Sequence, residues 1–377
     1  MKIDLGCYYF PNYHTGDRRN TIVHGSNWSE WEPLRNSVAR FPGHFQPRVP
    51  LWGESDEKDP AAMAQKIDAA AAHGVNVFIF DWYYYNDGPF LELALEKGFM
   101  AAENRSKIKF CNMWANHDWY DIHPALPLDR KLLYPGKVTR ATFEKIAELH
   151  IERYFSAPEY YTIDGAPYFS IYELSRLAAS FGSMAETRRA LEDFRKAVKS
   201  AGFPDLHLNA IIWGAPILPG ENTPQDAAAF AVELGFDSAA SYVWKHHFYD
   251  PAPLNRYEDM RKKYFDFWNK TLTNCPLEYF PNVTVGWDTA ARTMPDMPWD
   301  GTGPYPYGSV IVGESPEEFR KSLQMVREKL EKIAPAHPFI SINSWNEWTE
   351  GSYIEPDTRN GYAYLEAVKE VFPENVC

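Results

Sequence analysis

The chain has few cysteines for its length, four in 377 residues, scattered at Cys7, Cys111, Cys275 and Cys377 with no CxxC spacing. With that distribution free thiols are the better reading and a disulfide the weaker alternative. Basic charge is also scarce. A formal net charge of −13 argues against nucleic acid, whose binding rests on Lys and Arg displacing counterions, and against an anionic membrane surface. No window approaches about 18 uncharged apolar residues, so no segment reads as membrane-spanning. No charged leader with an apolar stretch and a cleavage site opens the chain, which makes the cytoplasm the expected compartment. The sequence lacks an HExxH motif, a DxD-type metal motif and a GxGxxG turn, so no metal and no cofactor are expected.

Aromatic residues, by contrast, are abundant at 16%, with 13 Trp and 23 Tyr. Such a surplus suits a protein that stacks rings on flat, weakly polar ligands such as sugars. Eight short apolar runs punctuate the sequence, at residues 3–10, 75–82, 108–115, 167–172, 206–213, 238–243, 283–287 and 339–345. They are apolar throughout rather than alternating, as parallel strands covered on both faces must be.

Helix signals lie between them. Ser315-Pro316-Glu317-Glu318 is a capping box with proline in the first turn, followed by an apolar stripe at Phe319, Leu323, Val326, Leu330 and Ile333. Ser183 with Glu186 repeats the box and Gly202 supplies the stop; Thr223-Pro224 opens another helix; residues 61–73 form an Ala-rich helix ending at Gly74. Eight strands alternating with helices predict a single (β/α)8 TIM barrel spanning residues 1–377, with long loops after strands one (11–59) and three (117–138). A doubly wound open sheet competes, weakened because the first strand leads into Pro11-Asn12-Tyr13-His14 rather than a glycine turn.

Barrel enzymes work at the carboxyl ends of their strands. Read in order, those ends give Asp81, Trp82 and Tyr84, then Trp114, Asn116, His117, Asp118 and Trp119, then Tyr172 and Trp244. The last two strands add Trp287, Asp288 and Arg292, then Asn343, Trp345, Asn346, Glu347, Trp348 and Glu350. Rings stack on sugar faces, and Asp, Glu, Asn and His bond the hydroxyls, so a carbohydrate is the expected partner of a monomer or weak homo-oligomer. Each has a plainer reading as well. The tryptophans can be barrel-mouth packing, Asp288 and Arg292 a structural ion pair, and Tyr9 and His44 architecture of a proline-rich N-terminal region. Glu355 and Asp357 read as solvated or supporting residues, and adjacent His246 and His247 do not form a zinc site.

Glycoside cleavage needs two carboxyl groups about the anomeric centre. Glu347 and Glu350 are three apart. If the segment turns helically they share a face and reach one substrate; if it stays extended they point to opposite sides. Gly351 is consistent with a turn.

Several motifs in fixed order resemble the glycoside hydrolase family 99-like (WbsX-like) proteins and, more distantly, the endo-α-mannosidases. They are Tyr8-Tyr9-Phe10-Pro11-Asn12-Tyr13-His14, Trp28 to Trp31, Gly43-His44-Phe45-Gln46-Pro47, Trp114-Ala115-Asn116, Gly286-Trp287-Asp288-Thr289-Ala290-Ala291-Arg292, and residues 343–351. The resemblance implies a (β/α)8 barrel that cleaves with retention and without a carboxylate nucleophile. Glu347 would deprotonate the sugar 2-hydroxyl, which attacks C1 to form a 1,2-anhydro sugar, and Glu350 would act as general acid and base. Such chemistry requires α-mannoside- or α-rhamnoside-like linkages, whose O2 lies trans to the leaving group. The chain departs from the family at His117-Asp118, where WbsX-like sequences usually read Glu-Asn. A glycosyltransferase and a non-catalytic carbohydrate-binding barrel are the competing readings.

Overall fold

The structure, a computed structural model, describes residues 1–376; Cys377, the fourth of the expected free thiols, lies outside the described residues. Cys7, Cys111 and Cys275 are free. Nine strands run parallel: β1 (Asp4–Tyr9), β2 (Val77–Tyr85), β3 (Lys109–Trp114), β4 (Ala166–Ile171), β5 (His207–Ile211), β6 (Ser238–Ala240), β7 (Glu278–Phe280), β8 (Asn282–Thr284) and β9 (Phe339–Asn343). Their order in the sheet is β7-β6-β5-β4-β3-β2-β1-β9-β8.

The two ends of that order, β7 and β8, are neighbours in the chain, parted only by Pro281. Ala239 of β6 pairs with Tyr279, and Val283 pairs with Ile342 of β9. The sheet therefore curls into a nearly closed barrel whose seventh position is a strand broken in two. Proline has no N–H to give the ladder, which accounts for the break. The seventh run, expected at 283–287, starts earlier and leaves the ladder sooner: Val285 N–H still reaches the Asn343 carbonyl at 2.9 Å, and the chain then departs as a loop.

The helices form where their caps predict. α1 (Pro60–Ala72) starts at Asp59, whose carboxylate accepts from Ala61 N–H. The Ser183 and Ser315 side chains cap their helices, Met184–Ser200 and Pro316–Ile333, by accepting from Glu186 and Glu318 N–H. One expectation needs correction. The helix after β5 is Ala227–Leu234, capped by Asp226, whereas Thr223 uses its hydroxyl to bond the Trp213 carbonyl.

Three connections wall the C-terminal end. The first, residues 11–59, holds two short helices, Arg18–His24 and Trp31–Arg35. Another, residues 117–138, folds into a small antiparallel pair, Trp119–Tyr120 with Leu132–Tyr134. The third was not anticipated: residues 285–315, between β8 and the helix Pro316–Ile333. Beneath them a second buried cluster of Phe10, Tyr13, Trp31, Tyr83, Trp119 and Trp348 caps the barrel core.

Candidate active site

After β9 the chain makes a tight reversal. Asn346–Glu347 pairs antiparallel with Ser352–Tyr353, and Trp348–Glu350 forms one 3₁₀ turn between them. The Ser344 hydroxyl fixes both sides, accepting from Glu347 N–H at 2.8 Å and donating to the Ser352 carbonyl at 2.6 Å. Gly351 ends the turn at φ 61°, and a Cβ there would lie 2.7 Å from Asp288 Cβ and 2.9 Å from an Arg48 guanidinium nitrogen. Glycine is therefore required by conformation and by space. The turn settles the open question of register: Glu347 and Glu350 face one cleft.

That cleft, about 630 Å³ out to its open mouth, sits over the barrel. At its base Arg292 binds three carboxylates. Its guanidinium donates to Glu350 at 2.7 Å, to Glu347 at 3.2 Å and to Glu30 at 3.1 Å, and it lies over the Phe10 ring at 5.2 Å. Tyr305 donates to Glu350 at 2.6 Å. On the opposite side the Tyr242 hydroxyl lies 2.9 Å from Asp81 and 3.4 Å from Glu347. All of these residues are buried.

The protonation pattern follows from burial and from who holds Arg292 closest. Burial, then the charge of Glu350, pushes Glu347 well above the ordinary carboxylate range, with Arg292 opposing. Burial also raises Glu350, but Arg292 and the Tyr305 hydroxyl hold it back. Asp81 is driven well up by burial, and the Tyr242 hydrogen bond only partly offsets this. Burial would raise Glu30 too, yet His123, Arg292 and Thr349 outweigh it and Glu30 ends below its usual value. Two buried carboxyls beside one another and one guanidinium form a coupled acid–base pair rather than two independent acids.

The walls are aromatic and neutral. Burial lowers His117, and its Nδ1 donates to the Asp118 carbonyl at 2.8 Å, so Nε2 is the acceptor nitrogen of a neutral ring. Trp119 stacks on His123, with centroids 5.1 Å apart, and burial drives His123 down to about 3. Tyr172 donates to Glu221 at 2.7 Å; Glu221 in turn accepts from the N–H groups of Ile217 and Leu218, which fixes that loop over the cleft.

Of the residues singled out in the sequence, the cleft gathers Asp81, His117, Asp118, Trp119, Tyr172, Trp287, Arg292, Glu347 and Glu350. The others lie elsewhere. Tyr9 packs on Phe78 and Phe80, Trp82 stacks on Tyr84, and Trp114 meets Phe143. Trp244 stacks on Tyr264 and Trp348 on Tyr353, and Trp345 packs at a tilt against Phe78. Asn343 is buried at the end of β9. Asn116 brackets the backbone of Glu173, and Asn346 that of Phe10. Asp288 pairs not with Arg292 but with His44, Gln46 and Arg48. Those donors overcome the burial that would raise it and hold it below the ordinary range. Glu355 and Asp357 are buried rather than solvated, bonded to Trp348 and Tyr353. His246 lines the cleft, while His247 stacks on Phe267 away from it.

Three residues at the site carried no signal of their own in the sequence: Glu30 sat inside the Trp28–Trp31 motif, and Glu221 and Tyr305 in loops without pattern. Tyr242 stands in the strand-six end Tyr242-Val243-Trp244, where Trp244 drew the choice and Tyr242 is the one that lines the cleft.

The family model described as Glycosyltransferase WbsX matches residues 5–368. The chain belongs to the WbsX family. Within reach of this WbsX-family chain is the uncharacterized protein WxcX of Xanthomonas campestris pv. campestris, strain B100. It is 25% identical over 378 residues, covering 97% of this chain and 49% of that protein. The chain thus spans about half the length of the curated relatives it matches. Among solved structures, the GH99 endo-alpha-mannosidase from Bacteroides thetaiotaomicron aligns with TM-score 0.54 and 15% identity, over 98% of this chain and 97% of that one. A glycoside hydrolase-like protein aligns with TM-score 0.63 and 16% identity, over 98% and 94%. At these identities the likeness is one of fold, the barrel of the glycoside hydrolases. Among the described residues no helix is long and apolar enough to cross a membrane.

Proposed function

We propose that this WbsX-family chain is a retaining glycoside hydrolase acting on α-mannoside- or α-rhamnoside-like linkages in oligo- or polysaccharides. The observation that carries the reading is the pair Glu347 and Glu350, both buried, on one turn, sharing the guanidinium of Arg292 in an aromatic-walled cleft. Glu347 is the base toward the 2-hydroxyl, which attacks C1 as the glycosidic bond breaks. Glu350 protonates the departing oxygen and then activates water to open the 1,2-anhydro sugar. Within the chain's own contacts Glu347 rises further than Glu350. The proposed roles need charge on Glu347, and the hydrogen bond donated by the incoming 2-hydroxyl favours that state. Asp81, Tyr172, His117, Asp118, Trp119 and Trp287 are the candidates for holding the sugar.

The family's name supports a second reading, transfer from a nucleotide-sugar donor. A diphosphate would need cationic partners, yet among the described residues Arg292 is the one Arg or Lys lining the cleft, and three carboxylates already occupy it. A non-catalytic carbohydrate-binding barrel would not need both glutamates. The test uses oligosaccharides with α-mannosyl or α-rhamnosyl linkages, with NMR following the anomer released. Glu350→Gln should cut turnover by about 10²–10⁴-fold while leaving sugar binding measurable by calorimetry. Equal release by the variant and the wild type refutes the assignment, and turnover only with added nucleotide sugar makes the chain a transferase.

A further inference from the structure

Beside the cleft lies a second, more open pocket of about 1100 Å³. The two share Ile217 and Trp287 as a common wall, Tyr305 lines the second at its border with the cleft, and the far side of the second carries Lys245, Phe248 and Tyr249. Tyr305 fixes the orientation of the pair, because its hydroxyl bonds Glu350 rather than Glu347. Whatever extends beyond the oxygen that Glu350 protonates is therefore directed to this side. Tyr249 is largely exposed, and Phe248 and Trp287 add further ring surface on which a sugar can stack.

Lys245 is the unusual member of the lining. Its ammonium is held by two neutral oxygens, Ser309 Oγ at 2.6 Å and Asn255 Oδ1 at 3.2 Å. Among the described residues no carboxylate lies within ion-pair distance of it. Asp250, the acid of the same lining, is ion-paired to Lys263. Burial pushes Lys245 down to about 8, with Asp250 and Lys263 the charged groups that face it. A half-buried lysine whose nearest acid, Asp250, is already paired with Lys263 is only partly compensated. A carboxylate or phosphate entering the pocket would give this ammonium a direct partner.

We propose that this pocket is the subsite for the sugar on the leaving-group side, and that this sugar bears a carboxylate or phosphate bound by Lys245. The inference rests on the role given to Glu350 above, which sets the side on which the leaving group sits.

The experiment is a titration, by calorimetry and by the ¹⁵N–¹H resonance of the Trp287 indole, with methyl β-glucuronide, glucose 6-phosphate and methyl β-glucoside. The wild type should bind at least one of the two anionic sugars about tenfold more tightly than the neutral one, with the Trp287 resonance moving. The anion that shows the preference distinguishes a uronic acid from a phosphorylated sugar. Lys245→Gln should erase the preference at an unchanged melting profile, and Lys245→Arg should retain it. Equal affinity for all three in the wild type, a preference that survives Lys245→Gln, or a silent Trp287 resonance overturns the proposal. If the glutamine variant does not fold, the wild-type titration decides alone. The titration follows binding alone: a wild type without the preference defeats the subsite and leaves the reading of Glu350 standing, whereas Glu350-independent release in the oligosaccharide assay defeats that reading.

Discussion

At the scale of single residues, the site is governed by how few donors serve many carboxylates. Arg292 serves three, and Glu173, at the end of β4, is left with little. Its Oε1 accepts from Asn222 N–H at 3.1 Å, its Oε2 has no hydrogen-bond partner, and Arg176 stands off at 3.7 Å. Burial pushes Glu173 up to about 8. A carboxyl whose pKa rises on folding favours the native state only while protonated, so its contribution is present at low pH and is lost as pH rises through about 8. Thermal melts at about pH 6 and about pH 9 should therefore show a larger drop for the wild type than for Glu173→Gln, by about 1–3 °C. Parallel slopes for the two proteins would show that Glu173 is already ionised in the fold. Legibility at this scale depended on parity. Asp81 and Tyr83 reach the cleft, whereas Trp82 and Tyr84 point away and stack on each other, as successive side chains of a strand must. A parallel barrel strand is apolar on both faces, so the sequence offers no polar beat by which to tell the inward face from the outward one. Both sets of rings then look alike as ligand contacts.

At the scale of elements, capping chemistry and strand runs were readable because they are local. Asp59, Ser183 and Ser315 each cap with their own side chains. The broken seventh strand was not readable, since β7 and β8 owe their existence to different neighbours, β6 and β9, far away in the chain. The 3₁₀ turn carrying the two glutamates lies between these cases. Its glycine was visible, but the atoms that make glycine necessary belong to Asp288 and Arg48. Gly351→Ala should destabilise the fold by about 1–3 kcal/mol in chemical denaturation. Turnover should fall further, by about 10²-fold, because the turn aims Glu350. Full activity in a destabilised Gly351→Ala protein would separate the turn from the chemistry.

For the whole molecule, the three long connections behave as one wall. Arg40, in the first connection, donates to four acceptors in the third: Thr293 Oγ1 at 2.6 Å and the carbonyls of Met294, Pro295 and Met297 at 2.7, 3.2 and 2.8 Å. The second connection joins through Ala125 N–H, which reaches the Arg292 carbonyl at 2.8 Å. Arg40→Ala should lower the local opening free energy of residues 285–315 by about 1–2 kcal/mol. Limited proteolysis there should speed up by about 5–30-fold with the global melting temperature little changed. An unchanged cleavage rate would mean that the third connection holds its own shape. None of this bonding was visible in sequence, because each contact joins segments more than a hundred residues apart.

The interlocking of those connections bears on how such a protein can acquire a new substrate. Arg292 fastens the Glu347–Glu350 turn from the third connection while its guanidinium also grips Glu30 of the first, so neither segment is free to drift alone. Variation that keeps the chemistry must then fall on parts outside the lock, such as the Ile217–Leu218 stretch held by Glu221. Alternatively, the three segments must be exchanged together, as a cassette.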